Sequence, residues 1–157
     1  MSIEQKSGEM QRIAEQLQRL YQGPSWLGPS LRDLIGDIDE EHARRQAASG
    51  AHTIWELVLH ITAWLRISRE RLSATQARDI GPEEDWPAMG ESWQHALSCL
   101  DSEIRALQIS IRNFSEDRLQ ACAPAREPQT FYHLLHGVIQ HSAYHVGQIA
   151  LLKKLDS

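Results

Sequence analysis

Apolar positions recur along this chain at the three- and four-residue spacing of amphipathic helices, and runs that alternate every second residue are almost absent. Met10, Ile13, Leu17 and Leu20 form the first such stripe, which predicts a helix over 3–21 ended by Gly23-Pro24. A second helix is predicted over 53–74, opened by Thr53-Ile54-Trp55-Glu56, a pattern in which Thr53 caps the backbone and Glu56 reaches back. The cleanest stripe is Trp93, Leu97, Leu100, Ile104, Leu107 and Ile111, spaced 4, 3, 4, 3 and 4, within a third helix expected over 87–113. A fourth is expected from Thr130, its cap, to about Lys154, with Lys153 and Lys154 at the negative end of the helix dipole. The connections, 23–52, 75–86 and 114–129, are rich in Gly, Pro, Ser or charge. Ser30-Leu31-Arg32-Asp33 followed by Leu34, Ile35 and Ile38 predicts one or two short helices across a bundle end. These elements imply an all-α four-helix bundle. Its topology is open on this basis, because an extended connection of about a dozen residues reaches roughly 40 Å, enough to return along a neighbouring helix.

Length and composition bound this picture. With 157 residues, 41% hydrophobic and 24% charged, the chain is expected to form a single domain over 1–157 with its own core. The formal net charge is -5, and Lys and Arg are scattered, so nucleic acid is not an expected partner. A polar start without an apolar centre, and the lack of an apolar run of roughly 18 residues, lead us to expect a cytoplasmic protein with no membrane partner. Cys99 and Cys122 form no CxxC pair and read as reduced thiols.

The candidate chemistry lies among the eight histidines. At about 100° per residue, His141 and His145 fall roughly 40° apart on one side of the fourth helix, among Leu134, Val138, Ile149 and Leu152. This places an HxxxH pair on the apolar face. His133 projects roughly 80° and His136 roughly 140° from His141, which makes both solvated or partner-facing. His60 borders an inward arc of Leu57, Ile61, Trp64 and Leu65 on the second helix. Three buried imidazoles without partners are costly, whereas a divalent cation satisfies one nitrogen of each. An HxxxH pair alone is common on helices, and a lone core histidine is ordinarily just hydrogen-bonded. The third histidine on a facing helix is what favours a metal, because bundle cores build metal sites in this way.

Around this set, Gln148 suits either orienting a ligand or packing, and Trp64 suits a pocket wall less well than core. Trp26 belongs to a connection that is a candidate cover for the site. Glu56 is a tempting base, one turn before His60, yet its place in the Thr53 cap makes it structural. Trp55 projects away from His60 and reads as an outward aromatic suited to a dimer contact.

His60 in "WELVLHITAW" and the run "HSAYHVGQIALLKK" from His141 together resemble the DinB-like superfamily (DinB/YfiT-like metalloenzymes), with support from "GPSWLGPSL" and "TFYHLLHG". The resemblance spans essentially the whole chain. It implies an up-down-down-up four-helix bundle, often a homodimer, with one divalent metal held by His60, His141 and His145. Zinc, nickel and iron suit such nitrogen ligands. Relatives include transferases of low-molecular-weight thiols, a thiol-dependent isomerase, proteins assigned as hydrolases and members without known activity. The expected function is thus a metal-dependent enzyme that transfers a low-molecular-weight thiol to, or hydrolyses, an electrophilic small-molecule substrate. The alternative is a non-catalytic metal- or ligand-binding dimeric bundle in stress response, since no catalytic acid, base or nucleophile stands out.

Overall fold

The computed structural model describes residues 8–47 and 49–155. In it the four apolar stripes become four long helices, α1 (Glu9–Gln22), α4 (Ile54–Ser73), α6 (Trp93–Asn113) and α7 (Phe131–Leu155). Three short helices, α2 (Leu31–Ile35), α3 (Glu40–Arg44) and α5 (Pro82–Asp85), and a 3-10 turn at Glu116–Arg118 occupy the connections. Among the described residues there is no strand, only two isolated bridges, Ser25 to Gly28 and Cys122 to Thr130. No described helix is long and apolar enough to cross a membrane.

Local chemistry explains the boundaries. Thr53 Oγ1 accepts from Glu56 N at 3.1 Å while the Glu56 carboxylate accepts from Thr53 N at 2.8 Å, the reciprocal cap that the sequence implies. Ser30 and Asp33 repeat this at α2. Thr130 Oγ1 accepts from His133 N at 3.1 Å at the start of α7. The expectation of a helix from residue 87 is corrected: α6 begins at Trp93, after an irregular run that includes Pro87 and Gly90, because Ser92 supplies the cap by accepting from His95 N. The first helix starts at Glu9; its expected opening turn, residues 3–7, lies outside the described residues.

The long helices close a ring in which α4 packs between α6 and α7, and α1 completes it against the same two. Trp55 meets Trp93 and Arg69 meets Glu103, so α4 and α6 run in the same sense. Tyr21 reaches Asp101 and Glu9 reaches Glu116, so α1 runs against α6. Leu57 lies by Gln148 and Arg71 by Gln129, so α7 runs against α4. The α6 stripe is buried at Trp93, Leu100, Ile104, Leu107 and Ile111. Lys153, in the last turn of α7, donates to Leu34 O at 2.9 Å and pairs with Asp37, tying that end to α2.

Trp55 overturns one expectation. It does point away from His60, but that side is covered rather than solvated: Trp55 is 0% exposed, tilted on Trp93 at 5.6 Å and capped by the Arg44 guanidinium 4.3 Å from its ring. The cover is α3 together with the start of α6, where Trp93 Nε1–H donates to Ile38 O at 2.8 Å. A projection of α4 alone contains no information about elements that fold back over it.

Candidate metal centre

Antiparallel α4 and α7 bring His60 opposite His141 and His145. His60 and His145 are 4% and 6% exposed, and His141 is half-buried. The His141 Nε2 lies 3.0 Å from Nε2 of His60 and 3.0 Å from Nε2 of His145, and the three donor atoms fall within 4.8 Å of one another. All three residues singled out from the sequence are therefore brought together.

The outer nitrogens fix the tautomers. His60 Nδ1 lies 2.6 Å from the main-chain carbonyl of Asp85, which only accepts, so Nδ1 carries the proton and Nε2 a lone pair. His145 Nδ1 donates to Gln148 Oε1 at 2.6 Å, with the same consequence. Two lone pairs thus aim at His141, whose single ring proton can serve only one of them, and whose Nδ1 is buried without a partner. A cation among the three Nε2 atoms resolves that conflict. Nitrogens about 2.0–2.1 Å from a tetrahedral ion sit roughly 3.3 Å apart, a few tenths of an ångström from the two 3.0 Å spacings at His141. The residues fit the group.

Electrostatics point the same way. Burial, reinforced by the neighbouring His145 and His60, pushes His141 down from 6.5 to about 4. Burial also lowers His145, against the opposing effect of its hydrogen bond to Gln148. Neutral imidazoles are the form that coordinates metal.

One wall of the cluster comes from the connection between α4 and α6. Trp86 stacks between two histidines, 3.8 Å from the ring of His60 at 7° and 3.6 Å from that of His52 at 8°. Trp64 Nε1–H donates to Asp85 Oδ1 at 2.7 Å. Glu84 holds this segment to α4 through Arg78 and Arg66, and Arg78 also binds Glu70; the Arg78 guanidinium keeps the Glu84 carboxyl below its usual range.

Glu56 stays in its cap, and Gln148 is the orienting partner of His145. Trp64 packs partly buried against the core, as expected, and also walls a cavity shared with His141. Trp26 is fully exposed and so is no cover. His133 is exposed, and His136 is half-buried 3.7 Å from Glu9. Asp85, Trp86 and His52 were not legible, because they lie off the helical stripes and act through a main-chain carbonyl and ring stacking that no spacing encodes.

A helical bundle whose facing helices converge three histidines on one point defines a protein with a metal-competent core. The chain belongs to the DinB superfamily, whose family model matches residues 27–149 and so contains all three histidines. The crystal structure of a conserved protein from Enterococcus faecalis superposes with a TM-score of 0.71 over 95% of this chain and 97% of that one, at 15% identity. That likeness is one of fold. No curated protein matches the chain.

Proposed function

We propose that this protein is a metal-dependent enzyme that transfers a low-molecular-weight thiol to, or hydrolyses, an electrophilic small molecule, with one divalent ion held by His60, His141 and His145. The observation that carries this reading is the convergence of three Nε2 atoms, two with their lone pairs fixed by Asp85 O and Gln148. When bound, such an ion acts as a Lewis acid that lowers the pKa of a coordinated water or thiol. Three neutral ligands leave its double charge intact and leave at least one position for a reactant. His60 and His145 are kept in register by their outer hydrogen bonds, and Trp86 shields one face of His60 from water.

Zinc, nickel and iron are the ions to test. Elemental analysis of protein purified without chelator should find about one such ion per chain, lost in the His60, His141 and His145 triple-alanine variant. Loaded protein would then be assayed with bacillithiol, mycothiol and glutathione against model electrophiles, and with esters and amides. Inactivity with every thiol sinks transfer, and inactivity throughout sinks catalysis.

A second reading, a non-catalytic metal- or ligand-binding dimeric bundle, draws support from one feature. Asp85, the carboxylate beside the cluster, is already engaged by Trp64 Nε1–H rather than free as a base. A His145→Ala variant that folds and keeps its cellular phenotype favours this reading. The homodimer finds a candidate surface in Tyr144, Leu151 and Leu155, exposed along α7, and monomer by light scattering removes it.

A further inference from the structure

Between α4 and α7 a cavity of about 200 Å³ runs from His141 and Trp64, past Ser68 and Gly137, to Arg71 and Gln129. Two features of its wall are unexplained by packing. The first is Arg71. Its neighbours on α4 and the following connection are all paired, Arg66 with Glu84, Arg69 with Glu103, and Arg78 with Glu70 and Glu84. Among the described residues Arg71 has no carboxylate in ion-pairing range; its guanidinium lies 5.7 Å from the centre of the Trp64 ring. Glu84 acts on its charge from a distance, but that carboxylate is taken up by Arg78 and Arg66.

The second feature is Ser68, which is 0% exposed and whose Oγ has no hydrogen-bond partner. A helical serine or threonine ordinarily returns its hydroxyl to the carbonyl one turn back, as Thr62 does to Val58 O at 2.7 Å and Ser142 to Val138 O at 2.8 Å. Ser68 does not, and so leaves a buried hydroxyl on the cavity wall. An unpaired cation and an orphaned hydroxyl on one small cavity, beside the indole of Trp64 and the side chains of Leu134 and Val138, describe a place for a short carbon chain that ends in an anion. A guanidinium fork matches a carboxylate in shape, and one guanidinium neutralises a monoanion rather than a phosphate dianion.

We infer that this cavity is the substrate pocket of the three-histidine site, with Arg71 holding the carboxylate of a small organic acid whose other end reaches the histidines. The inference rests on the metal-dependent reading and names its substrate class. Arg71 and His141 both lie beside the indole of Trp64, at 5.7 Å and 5.6 Å from its centre, and line the same cavity, so an acid held at Arg71 extends along Trp64 toward His141.

The test uses the full isotope-labelled chain, zinc-loaded and after chelation, titrated with pentanoate and with pentanamide while the amide signal of Gly137 and the indole N–H of Trp64 are followed by NMR. Pentanoate should bind roughly tenfold tighter than pentanamide, as a charge-assisted contact requires. Arg71→Gln should abolish that preference and leave pentanamide binding unchanged. Gly137→Leu provides an independent check: a Cβ there meets only His133 Cδ2, at 3.9 Å, so the side chain enters the cavity and should weaken both probes. Equal binding of acid and amide, a preference that survives Arg71→Gln, or indifference to Gly137→Leu would overturn the proposal. Zinc content of the same samples is read separately. An acid preference in protein that takes up no zinc sinks the metal reading and keeps the acid site, whereas zinc uptake without acid preference does the reverse.

Discussion

Gln148 offers the sharpest measure of how the histidine cluster is held. Its Oε1 accepts the Nδ1 proton of His145 at 2.6 Å, and the ring it orients is 6% exposed. Replacing Gln148 by Ala removes the acceptor without touching a ligand. In the metal-free protein His145 can answer by moving its proton to Nε2, which leaves no N–H orphaned at Nδ1. A metal at Nε2 forbids that escape, so the buried N–H then stays unpaired at about 1–3 kcal/mol, and the cost falls on binding rather than on folding. This is a loss of roughly five- to 150-fold in affinity. Because Gln148 is only half-buried, water can partly replace it, and we expect about tenfold, the low end for an outer-shell partner. Gln148→Glu, which restores an acceptor with a charge, should bind at least as tightly as the parent. Competition for zinc against a chromophoric chelator gives the constants, and cobalt absorption reports ligand geometry. An alanine variant within about twofold of the parent would refute the tautomer argument, since the outer hydrogen bond would then make no difference to the donor nitrogen.

Three further outcomes follow from the fold. Trp55→Ala should cost roughly 3–5 kcal/mol in urea unfolding, because the ring is fully buried against Trp93 and Arg44; a loss below about 1 kcal/mol would mean that the α3 cover is not formed. Thr53→Ala should cost about 1 kcal/mol by removing the α4 cap, with the cluster's metal affinity unchanged. Burial, then the hydrogen bond and charge of Asp101, raise Tyr21 from 10.0 to about 12. The folded protein therefore holds this proton more tightly than the unfolded chain, so the contribution is fully present below pH 10 and is lost as the pH rises toward 12. Phenolate absorbance should show a late step that Tyr21→Phe abolishes.

The three histidines were legible because each sits on a helical stripe, where residue spacing alone fixes direction. The same reasoning supplied the caps at Thr53, Ser30 and Thr130, which depend on residues three apart. It failed where direction is set by something distant. Trp55 was read as outward because α4 in isolation gives it no neighbour, while α3 and Trp93 provide one. Trp64 does pack against the core as its spacing implies, but the cavity it also walls is formed with α7 and is not encoded in α4. The start of α6 was expected at residue 87, but Ser92 supplies the cap and the helix begins at Trp93.

The two ends of the cluster are supported by different kinds of structure. His145 draws its acceptor from its own helix, three residues on, so forming α7 by itself brings the two side chains within reach. His60 draws its acceptor from a main-chain carbonyl 25 residues away, in a connection held to α4 by Glu84 through Arg78 and Arg66 and by the Trp64 to Asp85 hydrogen bond. A carbonyl is available from any residue, so the identity of Asp85 matters for its carboxylate, which accepts from Trp64 Nε1–H and also lies 3.4 Å from His60 Nδ1, while its backbone carbonyl makes the shorter contact with His60. The ring of Trp86, stacked on His60, completes a unit in which one short segment orients His60, covers it and sets the indole that walls the adjoining cavity. The donor nitrogen of His60 and the shape of the pocket are thereby set together, which is why neither can be read from the helices alone.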